Sequence, residues 1–110
     1  MQLFYSQKPE KYTIKQHLNR VVAIDKLDNQ EELIEIARMD FDQEVRKVAT
    51  MNVTDESVLA HIAMNDSCWR VRLEAVKKIS DESVLADVAK SDSNENVRRQ
   101  AIDKLDSFKK

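Results

Sequence analysis

Few side chains in this sequence could act as nucleophiles, general bases or metal ligands. Apart from the carboxylates, the set consists of two histidines, His17 and His61, and one cysteine, Cys68. Along a helix, the separation of His61 and Cys68 corresponds to about 10 Å, which is too far for an imidazole to activate a thiolate. The two histidines bring no obvious third ligand for a metal ion. We therefore expect no catalytic residue, no metal site and no cofactor, and we interpret the histidines as surface residues.

The composition is typical of a small helical protein. The 110 residues are 42% hydrophobic and 35% charged, with no glycine and a single proline, Pro9. This apolar content is enough for folding, whereas the lack of glycine disfavours tight hairpins and phosphate-binding loops. A formal net charge of −2 disfavours a general nucleic-acid binder. The sequence has no membrane-length apolar run, no leader pattern and no cysteine pair, so we predict a cytoplasmic protein that does not enter membranes.

A 26-residue period runs through most of the sequence. The string Asp-Glu-Ser-Val-Leu-Ala begins at Asp55 and again at Asp81, 26 residues later. Val-Arg pairs begin at Val45, Val71 and Val97, at the same interval and without gaps. Agreement between independent markers indicates internal repeats.

Each period contains two amphipathic helical patterns. Leu59, Ile62 and Ala63 have the spacing of one helical face, and Val71 and Ala75 lie four residues apart in the segment that follows. Helices of about ten residues are marginal in isolation, so stacking has to stabilise them. We predict an all-α α-solenoid of stacked αα-hairpins with about seven short helices. The first-type helices are predicted at 30–39, 56–65 and 82–91, and the second-type helices at 17–27, 43–53, 69–79 and 95–105.

The repeat register defines the predicted domain organisation. Residues 1–14, which include Leu3, Phe4 and Tyr5, form an N-terminal arm or cap, 15–106 a single repeat domain, and 107–110 a C-terminal tail. The exposed ends of a solenoid predict weak homo-association through those ends or through the arm. In the turns, Asn29 and Asp92 are predicted helix N-caps because a glutamate follows each by three residues. Asp40 and Asp66 are predicted to cap in the same way.

The pattern Asp-x-x-x-x-Val-Arg-x-x-Ala followed by Leu-x-x-Ile/Val-Ala resembles the short HEAT-like repeats. The phycobilin-lyase-like and leucine-rich-variant groups are the most similar, and the resemblance covers about residues 17–106. It implies a right-handed, armadillo-type α-solenoid whose second-type helices line the concave face. The cysteine cluster that holds the iron–sulfur centre of the leucine-rich-variant group has no counterpart, so no cofactor is carried over.

Charged pairs recur in every repeat, with an aspartate six residues before an arginine. In similar HEAT-like stacks, such pairs form a ladder between neighbouring units. A feature repeated in every copy indicates a structural role, because an active site needs unlike groups converging at one place. The predicted ladder consists of Asp40 with Arg46, Asp66 with Arg72, and Asp92 with Arg98.

Positions at which one repeat departs from the others are the candidate binding residues. Trp69 and Phe41 stand where the other copies have polar side chains, and aromatic residues, Trp above all, are enriched at binding hot spots. Packing on neighbouring turns is the equal alternative. A second candidate surface, a groove for an acidic or amphipathic peptide, follows the second-type helices, with a mixed solvated surface as its alternative. Its residues are Lys47, Met51, Leu73, Lys77 and Arg99.

These observations favour a non-catalytic protein–protein interaction scaffold or adaptor with an unidentified protein or peptide partner. One alternative is a HEAT-like nucleic-acid-binding module that uses the Lys and Arg residues of the second-type helices, although the acidic total charge disfavours it. The other is an accessory subunit of a lyase-like or prosthetic-group enzyme, which only the family resemblance implies.

Overall fold

The computed structural model describes residues 14–109 of the chain, with side chains from residue 16. This part of the chain contains seven α-helices and no strand. The all-helical class and the helix number are therefore confirmed. Of the predicted arm at residues 1–14, all but Ile14, the first residue of α1, lies outside this range. No helix in the described part of the chain is long and apolar enough to cross a membrane. The helices are α1 Ile14–Asp25, α2 Gln30–Met39, α3 Gln43–Asn52, α4 Glu56–Asn65, α5 Trp69–Lys78, α6 Glu82–Ser91 and α7 Glu95–Ser107.

The helix boundaries follow the predicted ones closely. The first-type helices α2, α4 and α6 match their predicted ranges, whereas α3 and α5 end one residue early. They stop because Val53 and Ile79 have extended backbones, with ψ of 136° and 138°. The two terminal helices differ most, since α1 covers 14–25 rather than 17–27 and α7 continues to Ser107.

The repeated Asp-Glu-Ser string begins α4 and α6 by capping them. Asp55 Oδ1 accepts the Ser57 N–H at 2.9 Å and the Ser57 hydroxyl at 2.6 Å, and Asp81 Oδ1 accepts the same groups of Ser83 at 2.9 and 2.7 Å. These bonds, the serine hydroxyl first, lower the pKa of both carboxyls. An exact sequence repeat thus corresponds to a repeated helix start.

The predicted caps are correct at one turn and wrong at three. Asn29 caps α2, as expected, by accepting the Glu32 N–H at 3.1 Å. Asp40, Asp66 and Asp92 instead occupy the C-caps of the preceding helices, and the N-cap residues stand two positions later. Each of the three carboxylates accepts the N–H of that later residue, an Asx-type turn that competes with N-capping in the sequence pattern.

The chain divides into two compact units, Met1–Val53 and Thr54–Lys110. In the first, α3 packs against α1 and α2; in the second, α5 packs against α4 and α7, and α7 also packs against α6. Buried apolar side chains fill both units at the repeated positions, among them Ala49, Ala75 and Ala101. Their equivalent in α1, Ala23, is exposed, and Ile24 is the buried residue there. Ile24 is buried because α3 packs against α1. Ala23 is exposed because no first-type helix precedes α1 in the described range.

Candidate functional site

An apolar groove lies between α1 and α3 in the first unit. It has a volume of about 300 Å³ and is open to solvent. Met51, which was predicted as a binding residue, lies in this groove, whereas the α1 residues were missed because they belong to the least regular repeat. Exposed apolar surface in a concave site is what a partner side chain can bury. The lining residues are Val21, Val22, Asp25, Lys26, Val48 and Met51.

The rim of the groove is polar at one end. Asp25 Oδ1 accepts a hydrogen bond from Asn52 Nδ2 at 3.2 Å, and Asn52 Nδ2 also donates to the carbonyl oxygen of Val48 at 2.9 Å. The first of these bonds connects the C-terminal ends of α1 and α3, and the second lies within α3. Lys26 is exposed beside them, so the groove has one carboxylate and one ammonium group at its edge.

The basic residues predicted for the second-type helices are paired locally. Each of them forms an ion pair with a glutamate three or four residues earlier on its own helix, which leaves little net positive charge at these positions. Leu73 is half-buried on α5. The pairs are Lys47–Glu44 at 3.3 Å, Lys77–Glu74 at 3.1 Å and Arg99–Glu95 at 2.9 Å.

Both candidate aromatic residues are half-buried and in contact with an arginine. The Arg20 guanidinium lies 4.9 Å from the centre of the Phe41 ring in the turn before α3. The Arg70 guanidinium lies 4.8 Å from the centre of the Trp69 ring at the start of α5. These are cation–π distances, and each contact covers part of one ring face. Phe41 and Trp69 belong to different units, and each is a local feature of its own turn.

The aspartate–arginine pairs are present, but their atoms meet differently from the predicted ladder. In all three turns, the side chain of the arginine that follows the aspartate by six residues donates to the backbone carbonyl oxygen of that aspartate, at 2.7 to 2.8 Å. The pairs are Arg46 with Asp40, Arg72 with Asp66, and Arg98 with Asp92.

Within each unit, a carboxylate of this ladder is bound by the arginine twenty residues before it. Arg20 binds Asp40, and Arg72 binds Asp92 through two nitrogens at 2.9 and 3.1 Å. Arg20 was missed in the sequence, although it stands 26 residues before Arg46, because its copy has Asn-Arg in place of Val-Arg. Burial raises the pKa of the Asp40 carboxyl; the Asp42 N–H and the Arg20 guanidinium act in the opposite direction.

Each of the catalytic and metal candidates has its own local environment. His17 Nδ1 lies 2.6 Å from Asp42 Oδ2 in the first unit. His61 is exposed on α4, where Asn65 Nδ2 lies 3.4 Å from His61 Nδ1. Cys68 is half-buried at the start of α5. No group of three or more potential metal ligands occurs among the residues that the structure describes.

Two hydrogen bonds connect the start of α4 to the turn before α6. Glu56 Oε1 accepts the N–H and the hydroxyl of Ser80, both at 2.7 Å, and these bonds lower the pKa of the Glu56 carboxyl. Lys104 Nζ donates to the carbonyl oxygen of Lys77 at 2.8 Å, and burial lowers the pKa of Lys104 although the Glu56 charge opposes the shift. These bonds connect helices and turns within the second unit.

Cys68 begins α5 without a side-chain cap. It occupies the repeat position of Asp42 and Asn94, whose side-chain oxygens accept the N–H two residues later at 2.9 and 2.8 Å. The backbone of Cys68, with φ −99° and ψ 123°, nearly equals that of Asn94, with φ −99° and ψ 128°. The geometry for a cap is therefore present, and only the acceptor is missing.

We expect Cys68→Asn to raise the free energy of unfolding by about 1 kcal/mol, because an amide oxygen there can accept the Arg70 N–H. Urea unfolding followed by Trp69 fluorescence measures the change. The reverse exchange at the matched position, Asn94→Cys, should lower stability by a similar amount. A Cys68→Asn variant that is no more stable than the wild type would show that this turn does not form the cap.

Comparison of the chain with protein-family models, with curated proteins and with solved structures gives no match.

Proposed function

We propose that the chain is a non-catalytic protein-interaction module whose hairpins stack as a right-handed, HEAT-like α-solenoid. The observation that carries the proposal is the apolar groove between α1 and α3. Its partner would be an amphipathic helix or peptide that inserts a bulky apolar side chain beside Met51 and Val21. The Trp69 and Phe41 turns remain the second candidate contact.

The physical chemistry of the groove supports an apolar ligand. A volume near 300 Å³ holds about ten water molecules at liquid density. Three valines and a methionine line most of it, so these waters find few hydrogen-bonding partners there. Their displacement by an apolar side chain is favourable. The Asp25 carboxylate and the Lys26 ammonium at the rim would orient a partner that carries charges of both signs.

The surface charges favour such a partner over a nucleic acid. A phosphate backbone requires several uncompensated Lys or Arg side chains, since the release of counterions drives that binding. Lys47, Lys77 and Arg99 each already form an ion pair with a neighbouring glutamate. For catalysis, the separate environments of His17, His61 and Cys68 support a binding role over an acid–base or nucleophilic one.

The test is capture from the native cell extract, followed by binding measurements with the purified partner. We expect Met51→Glu to weaken that binding by roughly 10- to 100-fold, because a charge in the groove removes the apolar contact. Met64→Glu is the matched control, since Met64 is exposed on α4 outside the groove. The control should bind as the wild type does.

Three results would go against the proposal or redirect it. If no protein is captured, the interaction-module function fails. If binding is equally strong in Met51→Glu, the groove is not the site. If it is instead lost in the Trp69→Ala, Phe41→Ala double variant, the aromatic turns make the contact.

A further inference from the structure

Neighbouring second-type helices repeat one contact in both units. In the first unit α3 packs against α1, and Asn52 Nδ2 donates to Asp25 Oδ1 at 3.2 Å. In the second unit α7 packs against α5, and Lys104 Nζ donates to the carbonyl oxygen of Lys77 at 2.8 Å. In both cases the donor residue stands 27 positions after the acceptor residue. The same pair of repeat positions therefore joins adjacent second-type helices twice.

The outer face of α7 has the residues of this contact but no described helix packed against them. Ile102 has the repeat position of Ile24 and Val76, which are 9% and 0% exposed, whereas Ile102 is 45% exposed. Asp103 follows it at the position of Asp25 and Lys77, and it is exposed and forms no hydrogen bond or ion pair within residues 16–109. α7 thus presents an apolar side chain and a carboxylate at the positions where α1 and α5 contact the next second-type helix.

α1 presents the complementary half, through residues of which Val22 and Lys26 also line the groove. Val22 has the repeat position of Val48 but is 53% exposed rather than 8%. Ala23 is exposed, although its equivalent in α3 is buried. Lys26, at the position of Asn52 and Lys104, is exposed as well. α1 therefore offers apolar side chains and an ammonium group at the positions where α3 and α7 receive the preceding helix.

We propose that α7 of one copy docks against α1 of a second copy, in the arrangement in which α5 and α7 pack within one unit. Ile102 then packs against Val22 and Ala23 of the second copy, and Asp103 forms an ion pair with Lys26 of the second copy. The two faces differ, so the contact is heterologous, and a pair of bound copies still has one free α1 face and one free α7 face. The expected assembly grows head to tail.

The choice of a second copy as the occupant follows from charge and register. The carboxylate is on one face, the ammonium is on the other, and both stand at the two repeat positions that already bond within each unit. The inference does not rest on the proposed function, because Ile102 and Asp103 lie outside the α1–α3 groove, although Val22 and Lys26 also line it. Variants at Ile102 and Asp103 therefore test self-association without changing the groove, and Met51→Glu changes the groove without changing α7.

Charge exchange in the full chain tests the pairing, with sedimentation velocity from about 10 µM to 1 mM to cover weak affinities. The wild type should show a mass that rises with concentration without stopping at the dimer. Asp103→Lys and Lys26→Asp, each alone, should weaken association about tenfold, because an attraction becomes a repulsion. The double variant should recover the wild-type behaviour, and an equimolar mixture of the two single variants should associate as well.

An apolar variant supplies the second readout. Ile102→Gln should reduce association, whereas Met39→Gln, at another exposed apolar residue, should leave it unchanged; circular dichroism checks that each variant is folded. A wild type that is monomeric at every concentration overturns the proposal. So does a closed dimer that ignores the charge exchange, or association that appears only after residues 1–13 are deleted, because that segment would then be what covers α1.

Discussion

Replacing Arg72 by alanine should lower the free energy of unfolding of the second unit by about 3 kcal/mol. The Arg72 side chain is only 12% exposed and that of Asp92 only 6%, and the guanidinium also donates to the carbonyl oxygen of Asp66. Its removal leaves a nearly buried carboxylate without its counter-charge, a loss larger than that of an exposed ion pair. Urea unfolding followed by Trp69 fluorescence reports the change, because the only tryptophan lies in this unit.

A second arginine serves as the control for this experiment. Arg99→Ala removes an exposed pair with Glu95 and should change stability by less than about 0.5 kcal/mol. The Arg72→Ala, Asp92→Ala double variant should be less destabilised than the sum of the single variants, since the two side chains share one interaction. Equal effects of Arg72→Ala and Arg99→Ala would show that the buried bonds add nothing.

The other large effect is expected in the hydrophobic core. Ile79→Ala should destabilise the second unit by about 3 kcal/mol, because Ile79 is fully buried and its truncation leaves a cavity. The same exchange at Ile102, which is 45% exposed on α7, should lower stability by less than about 1 kcal/mol. Urea unfolding of both variants at low protein concentration keeps self-association out of the comparison.

The two isoleucines make the comparison specific to burial. If Ile79→Ala and Ile102→Ala destabilise the chain equally, the two isoleucine side chains do not differ in burial. The docking face inferred for α7 would then lose its structural basis as well, because it depends on Ile102 being less covered than Ile24 and Val76.

The repeat pattern predicts the helices almost residue by residue. Periodicity of apolar residues reports which face of a segment is buried, and three copies in one register average out local ambiguity. Errors concentrate where a copy is incomplete. α1 begins at Ile14 rather than near residue 17, and Ala23 is exposed although every other alanine at its repeat position is buried.

Side-chain bonding was less predictable than helix position. Spacing alone shows that an aspartate and an arginine recur together, but it does not show whether the carboxylate or the carbonyl oxygen is the acceptor. The same limit explains why Asp92 was expected as an N-cap and is a C-cap. The groove beside Met51 needed three-dimensional packing, since two helices separated along the sequence form its walls.

The bonds of Arg72 also restrict the length of the repeat. One end of its guanidinium reaches back six residues to Asp66, and the other reaches forward twenty residues to Asp92. A single residue inserted within α6 would rotate the following positions by about 100° and move Asp92 out of reach. The two sets of Arg72 bonds thus require a fixed separation between successive turns. We therefore expect insertions and deletions in this repeat to be tolerated poorly, in keeping with a period that continues without gaps.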